Sequence, residues 1–316
     1  MAHVHMKISQ LLGRVDAEGM TTNLFCLSKV PLPCRRANVT LPGHDRSTLD
    51  EADDFICAKL ESWGYEVSRE AVQVQAYRCD ETKPLQAQYS RPLPEDPYYT
   101  VHNLCATRHG SGTTDEIIMA VAHKDSQSWV GSPGASDNGI GTVGTLEMAR
   151  VLADVPTQRT IRFLFCNEEH TPWTSRIAAE AARKRGDNII AVFNTDGIGR
   201  KSPEDSAAGK KTNVTKYTTP EGKRLGELMI KVNDLYGIGL EQSLVERPSP
   251  GDDDGSFIRA GYQAAVMNIG CHPSSANPDY HTVNDRPELV DVENAAMAVR
   301  AILAAILTLD AGGNAG

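Results

Sequence analysis

The chain has 316 residues, of which 40 % are apolar and 23 % charged, and its 32 Lys plus Arg against 41 Asp plus Glu give a formal net charge of −9. Such a chain is long enough for one large α/β domain, and no composition break marks a linker. The acidic balance argues against nucleic acid as a partner, because that needs clustered positive charge.

In chain order, residues 1–44 read as an irregular segment, with two prolines in Val30-Pro31-Leu32-Pro33. A helix follows at about 48–63, capped by Ser47 and closed by Gly64, with Leu49, Phe55, Ile56 and Leu60 near helical spacing. Val67, Val72 and Val74 mark a strand within 65–76, and the four prolines of 83–97 indicate an exposed loop. Strands at 101–107 and 116–122 precede a Gly/Ser/Pro loop and a helix at 139–153. A strand at 160–166, a helix at 174–185 and a strand at 189–195 continue the alternation. A helix at 221–236, a strand at 264–269 and a helix at 292–309 complete it. Strands alternating with helices predict a mostly parallel sheet covered on both faces, hence a three-layer α/β domain spanning 1–316.

Nowhere is there a run of about 18 uninterrupted apolar residues, and the first residues lack the apolar stretch of a secretory signal. The seven Cys include no CxxC pair, so they read as free thiols of a reducing compartment. A cytoplasmic location without a membrane partner is the expectation.

The informative pattern is where acidic and imidazole groups fall. Ligands of an open parallel sheet bind outside the carboxyl ends of its strands. The strand at 116–122 runs into His123-Lys124-Asp125, and the next loop carries Ser136-Asp137-Asn138 before a helix. The strand at 160–166 runs into Asn167-Glu168-Glu169, that at 189–195 into Asp196, and a loop after the last strand holds Tyr280-His281-Thr282. Imidazole nitrogen and carboxylate oxygen are the donors that zinc accepts at about 2.0–2.2 Å. A pair of divalent ions about 3.5–4 Å apart needs a shared anionic bridge, which one Asp can supply. Adjacent Glu168 and Glu169 suit a division in which one binds metal and the other takes a proton from water.

These segments resemble the co-catalytic di-zinc exopeptidases typified by bacterial leucyl aminopeptidases, whose relatives include glutamate carboxypeptidases and glutaminyl cyclases. The resemblance lies in AHKDS (122–126), PGASDNGIGT (133–142), RTIRFLFCNEE (159–169), FNTDGIG (193–199), GDDDGSFIRAGY (251–262) and NPDYHTVND (277–285), and covers about residues 45–309. It implies the zinc-dependent exopeptidase fold and two zinc ions per chain. Asp137 would bridge them, with His123 and Asp196 completing one position and Glu169 and His281 the other. It further implies Asp125 as the hydrogen-bond partner that fixes the His123 tautomer, Glu168 as general base and Tyr280 as oxyanion stabiliser.

Three departures bear on substrate choice: His170-Thr171-Pro172-Trp173 stands where relatives are Gly-rich, Gly197 where they carry a bulky apolar residue, and Asp254 where they carry His. Trp173, Met267 and Ile269 are candidate pocket residues, with a place in the ordinary core as the alternative for each; His170 and His272 are weak candidates for extra ligands. The expected activity is a metallo-aminopeptidase acting on a peptide or small amide. The alternatives are a carboxypeptidase using Arg176, Arg200 or Arg259, a glutaminyl cyclase (whose usual Trp before the last His is Tyr280 here), and a non-catalytic binding protein on the same scaffold.

Overall fold

The computed structural model describes residues 2–312. Its helices are α1 (Ala2–Leu12), α2 (Ala17–Ser28), α3 (Thr48–Ser62), α4 (Ile140–Leu152), α5 (Thr174–Arg185), α6 (Pro203–Ala207), α7 (Pro220–Leu235), α8 (Asp252–Arg259) and α9 (Val292–Asp310). Its strands are β1 (Val67–Ala76), β2 (Arg78–Cys79), β3 (Tyr89–Ser90), β4 (Tyr98–Arg108), β5 (Glu116–His123), β6 (Thr160–Cys166), β7 (His170–Thr171), β8 (Asn188–Thr195), β9 (Thr212–Tyr217), β10 (Glu241–Glu246) and β11 (Ala265–Ile269).

Nine strands form one mixed sheet in the order β10-β9-β11-β8-β5-β6-β4-β1-β7, and β2 pairs with β3 apart from it. The centre, β11-β8-β5-β6, is parallel, while β9 and β4 join it antiparallel on either side. Side-chain parity on the central strands sets the layers, since successive residues of a strand face opposite ways. On β5, Ile118 and Ala120 join the buried cluster shared with α1, α2, α3, α4, α7 and α9, whereas Ile117, Met119 and Val121 join the one shared with α5 and α8. Both faces are therefore covered, as the apolar runs predict. By length and composition α9 could cross a membrane, but here its Ala, Ile and Leu side chains fill the larger cluster.

The expected irregular segment at 1–44 is corrected: it contains α1 and α2. Asp16 caps α2 by accepting from the N–H groups of Glu18 and Gly19, and Met20, Leu24 and Leu27 are buried against the sheet-facing core. The prolines at 31 and 33 follow these helices rather than preclude them. The cap on α3 matches expectation, with Ser47 accepting from the Asp50 N–H at 3.1 Å. The two-residue strands β2, β3 and β7 escaped the sequence reading, as did β9 and β10, which carry polar residues where the sheet ends on the β10 side.

Candidate metal centre

Four neighbouring strands of the parallel centre deliver the polar groups at their carboxyl ends. His123 is the last residue of β5, Glu168 and Glu169 follow β6, Asp196 follows β8, and the loop leaving β11 returns His281. Asp137 comes from the turn before α4. The Asp285 carboxylate accepts from the backbone N–H groups of Ser136 and Asp137, at 2.8 and 3.0 Å, and so fixes that turn. Asn138 ties the same turn to the end of β8: its amide donates to the Thr195 carbonyl at 2.8 Å, and its oxygen accepts from Gly141 and Gly197.

The five side chains meet around Asp137. His123 Nε2 lies 3.4 Å from Asp137 Oδ1 and 3.8 Å from Asp196 Oδ1. His281 Nε2 lies 3.0 Å from Asp137 Oδ2 and 3.3 Å from Glu169 Oε1. Two overlapping donor groups result, one of His123, Asp137 and Glu169 and one of His123, Glu168 and Asp196, each with its atoms within 4.8 Å of one another.

Each imidazole is oriented through its far nitrogen. His123 Nδ1 faces Asp125 Oδ1 at 3.3 Å, and His281 Nδ1 donates to the Gln86 carbonyl at 3.1 Å, which turns both Nε2 atoms inward. Asp125 is a hub. It also accepts from the Glu168 and Glu169 N–H groups, both at 2.9 Å, and from His170 Nδ1 at 2.8 Å. His170 Nε2 in turn accepts from the Ala37 N–H, so its ring is fully used in positioning and is not a ligand. His272 is exposed and stands apart from the five.

The electrostatics call for positive charge. Burial alone would favour neutral His123, yet Asp125, Asp137 and Asp196 raise its pKa well above the ordinary imidazole value. Burial is likewise overcome at His281, where Glu169 and Asp137 raise the pKa to about 10. Burial, then Asp253 and Asp252, push Glu168 well above the usual carboxylate range. Buried Asp196 Oδ1 and Glu168 Oε2 have no hydrogen-bond partner. Two imidazoles facing three carboxylates, with an unsatisfied oxygen on Asp196, form a donor set that fits divalent cations of the zinc type.

The centre floors a cavity of about 240 Å³ walled by Tyr77, Tyr89, Trp129, Trp173, Met267 and Tyr280, with Asp252 and Glu168 also at its lining. Trp173 and Met267 thus lie where the sequence put pocket residues. Ile269 does not: it pairs with Val214 of β9 and is buried with Val214 and Met267 in a small apolar cluster. Tyr280 stacks on His281 with ring centroids 3.7 Å apart. The stretch 83–97, read as an exposed loop, contributes Tyr89 and the Gln86 carbonyl to the site.

Sequence reasoning also missed Gln127. Its amide nitrogen reaches Asp137 Oδ2 at 3.0 Å and Glu169 Oε1 at 2.9 Å. It missed Arg35 too, a wholly buried guanidinium bonded to the carbonyls of Leu27, Lys124, Pro133 and Gly134. Burial lowers the pKa of Arg35 to about 10 against the pull of nearby acids. Only the short spacing of Gln127 from His123 hints at the first, and nothing local marks the second.

An α/β sheet carrying a two-imidazole, multi-carboxylate cluster at its parallel strand ends is the framework of a metal-dependent hydrolase. The sequence model of peptidase family M28 matches residues 103–306, and the chain belongs to that family. Aminopeptidase YwaD of Bacillus subtilis (strain 168) is 29 % identical over 194 residues, covering 60 % of this chain and 40 % of that protein. A probable aminopeptidase of Saccharomyces cerevisiae, YDR415C, is 27 % identical over 213 residues, covering 63 % of this chain and 55 % of its own length. The chain thus spans about half the length of these curated relatives. Among solved structures, an aminopeptidase from Aneurinibacillus sp. strain AM-1 superposes with a TM-score of 0.71 at 18 % identity over 95 % of both chains. That likeness concerns the fold.

Proposed function

We propose that the chain is a zinc-dependent aminopeptidase that removes N-terminal residues from peptides, with two zinc ions held by His123, Asp137, Glu169, Asp196 and His281. The observation carrying the reading is the convergence of these five donors beside a spare carboxylate, Glu168, half-buried with its Oε2 out of contact with water and without a hydrogen-bond partner. Membership of family M28 and the names of the matched aminopeptidases support it.

Zinc, when bound, supplies Lewis acidity that polarises a peptide carbonyl and acidifies water. The rest is done by the chain. Glu168 takes the proton of the attacking water and returns it to the leaving amine. Desolvation and the neighbouring Asp253 and Asp252, which disfavour the free carboxylate, make it a strong proton acceptor once ionised. Tyr280, whose burial raises its pKa and keeps the phenol protonated, donates to the oxygen on which charge develops. The aromatic walls exclude water and grip the terminal side chain.

The acidic lining favours an N-terminal amine over a C-terminal carboxylate. Asp252 lines the cavity and no Lys or Arg is among its lining residues. Arg176 is instead paired with Glu180 on the surface, Arg259 is exposed and bonds the Pro250 carbonyl, and Arg200 is buried. A carboxypeptidase therefore lacks its anion partner in this cavity.

The test is a panel of aminoacyl-nitroanilides, free and N-blocked, with and without chelator, on the native chain and on Glu168→Gln. Expected are turnover of free-amine substrates only, loss on chelation, and a fall of about 10²–10⁴-fold in the variant at unchanged metal content. Equal turnover of N-blocked substrates would exclude the aminopeptidase, and a fully active Glu168→Gln would exclude the base assignment.

A further inference from the structure

Gly197 follows Asp196 at φ +65°, and a Cβ built on it would lie 2.8–3.0 Å from the guanidinium of Arg200. The missing side chain thus opens the space that the guanidinium fills. Arg200 is 1 % exposed, and its Nη2 lies 3.1 Å from Asp137 Oδ1 and 3.7 Å from Asp196 Oδ1. It also bonds the Ser136 carbonyl at 3.4 Å, and its carbon sits 4.5 Å from the centroid of the Tyr280 ring.

The two oxygens of Asp137 therefore have different company. Oδ2 faces His281 and the neutral Gln127 amide; Oδ1 faces His123 and a fixed cation. Each half of the centre has one imidazole, one carboxylate of its own and one oxygen of the shared Asp137, and behind the imidazoles His123 faces the Asp125 carboxylate where His281 faces the neutral Gln86 carbonyl. Glu168 also reaches the His123 half, within 4.8 Å of its donors, but the guanidinium is the group at contact distance from Asp137. Charge interactions fall with distance, so the nearer cation dominates at that oxygen. A guanidinium keeps its proton across the working pH range and cannot step aside by neutralising.

We propose that Arg200 sets the affinity of the His123–Asp196 position, making it the weaker of two unequal cation positions, with the His281–Glu169 position filling first. This rests on the metal reading above and adds the residue that governs loading. At low free zinc the chain would carry one ion, and the second would arrive only as free zinc rises.

The experiment is a chelator-buffered zinc titration of the metal-stripped full chain, read as ions bound per chain and as two dissociation constants. Expected for the native chain are two steps separated by about 10- to 100-fold, the range over which groups touching metal ligands alter affinity. Arg200→Met should tighten the weaker step by about 10-fold or more and narrow the gap, whereas Arg200→Lys, which keeps the charge, should preserve it. Two equal steps in the native chain, or a weaker step that Arg200→Met leaves unchanged or loosens, would overturn the proposal while leaving the metal reading standing. No zinc uptake at all would remove both. Should Arg200→Met fail to fold, His123→Ala and His281→Ala decide: the first must abolish the weak step and the second the tight one, and the reverse order refutes the assignment.

Discussion

Replacing Asp125 by Asn tests the hub on which the site's geometry depends. Each carboxylate oxygen takes one imidazole and one backbone N–H: Oδ1 those of His123 and Glu168, Oδ2 those of His170 and Glu169. The amide of Asn is isosteric but turns one oxygen into a donor facing two donors. Two hydrogen bonds to a charged acceptor are then lost whichever way the amide lies. At about 1.5–3 kcal/mol each, the loss is about 3–6 kcal/mol, a large share of the 5–15 kcal/mol by which domains are stable. Urea unfolding of the metal-stripped proteins should show a lower midpoint at unchanged slope, and zinc competition should show affinity weakened about 10- to 100-fold. Burial would raise this carboxyl's pKa, but His123 and His170 hold it below the ordinary value. Its contribution is therefore present above the unfolded carboxylate pKa of about 3.9 and fades as pH falls below that. A change under about 1 kcal/mol with zinc affinity intact would refute the hub, since that lies within the ordinary worth of one neutral hydrogen bond.

Other outcomes follow from the same contacts. Burial raises Asp253 to about 6, and both its oxygens lack hydrogen-bond partners. Its neutral form is the one favoured in the fold, so stability falls as pH rises from about 4 to 6; Asp253→Asn should flatten that slope by about 3 kcal/mol in metal-stripped protein, read by denaturation at each pH. Arg35→Met strands the four carbonyls and the Ser28 hydroxyl it now satisfies, and should destabilise by about 3–5 kcal/mol on urea unfolding, with an undiminished midpoint counting against its role. Gly141→Ala drives a Cβ to 2.1 Å from the Thr195 carbonyl and 2.2 Å from Asn138 Oδ1, so a melting temperature within 1 °C or so of the native value would contradict this packing.

The donor residues were legible in the sequence because apolar strand runs end abruptly in His123, Glu169 and Asp196, and a parallel sheet gathers such ends in one place. What eluded it depends on loops. Gln127, Trp129 and Tyr89 reach the cavity only through turns whose path no periodicity encodes, and the Gln86 carbonyl that orients His281 is backbone, identical in every residue type. Arg200 was visible as a charge near the site, but its burial depends on the space left by Gly197, a contact the string of letters does not display. The first two helices were obscured by the prolines beyond them.

The guanidinium of Arg35 has a consequence for where the working unit begins. It grips the 124–134 loop from a position 68 residues ahead of the stretch that family M28 matches, which starts at residue 103. A fragment trimmed to that stretch would keep all five of the proposed cation donors yet lose the brace beneath them, along with α1, α2 and α3. Chemistry and packing therefore have different borders in this polypeptide, and the wider one takes in Arg35 together with the three helices that complete the main core.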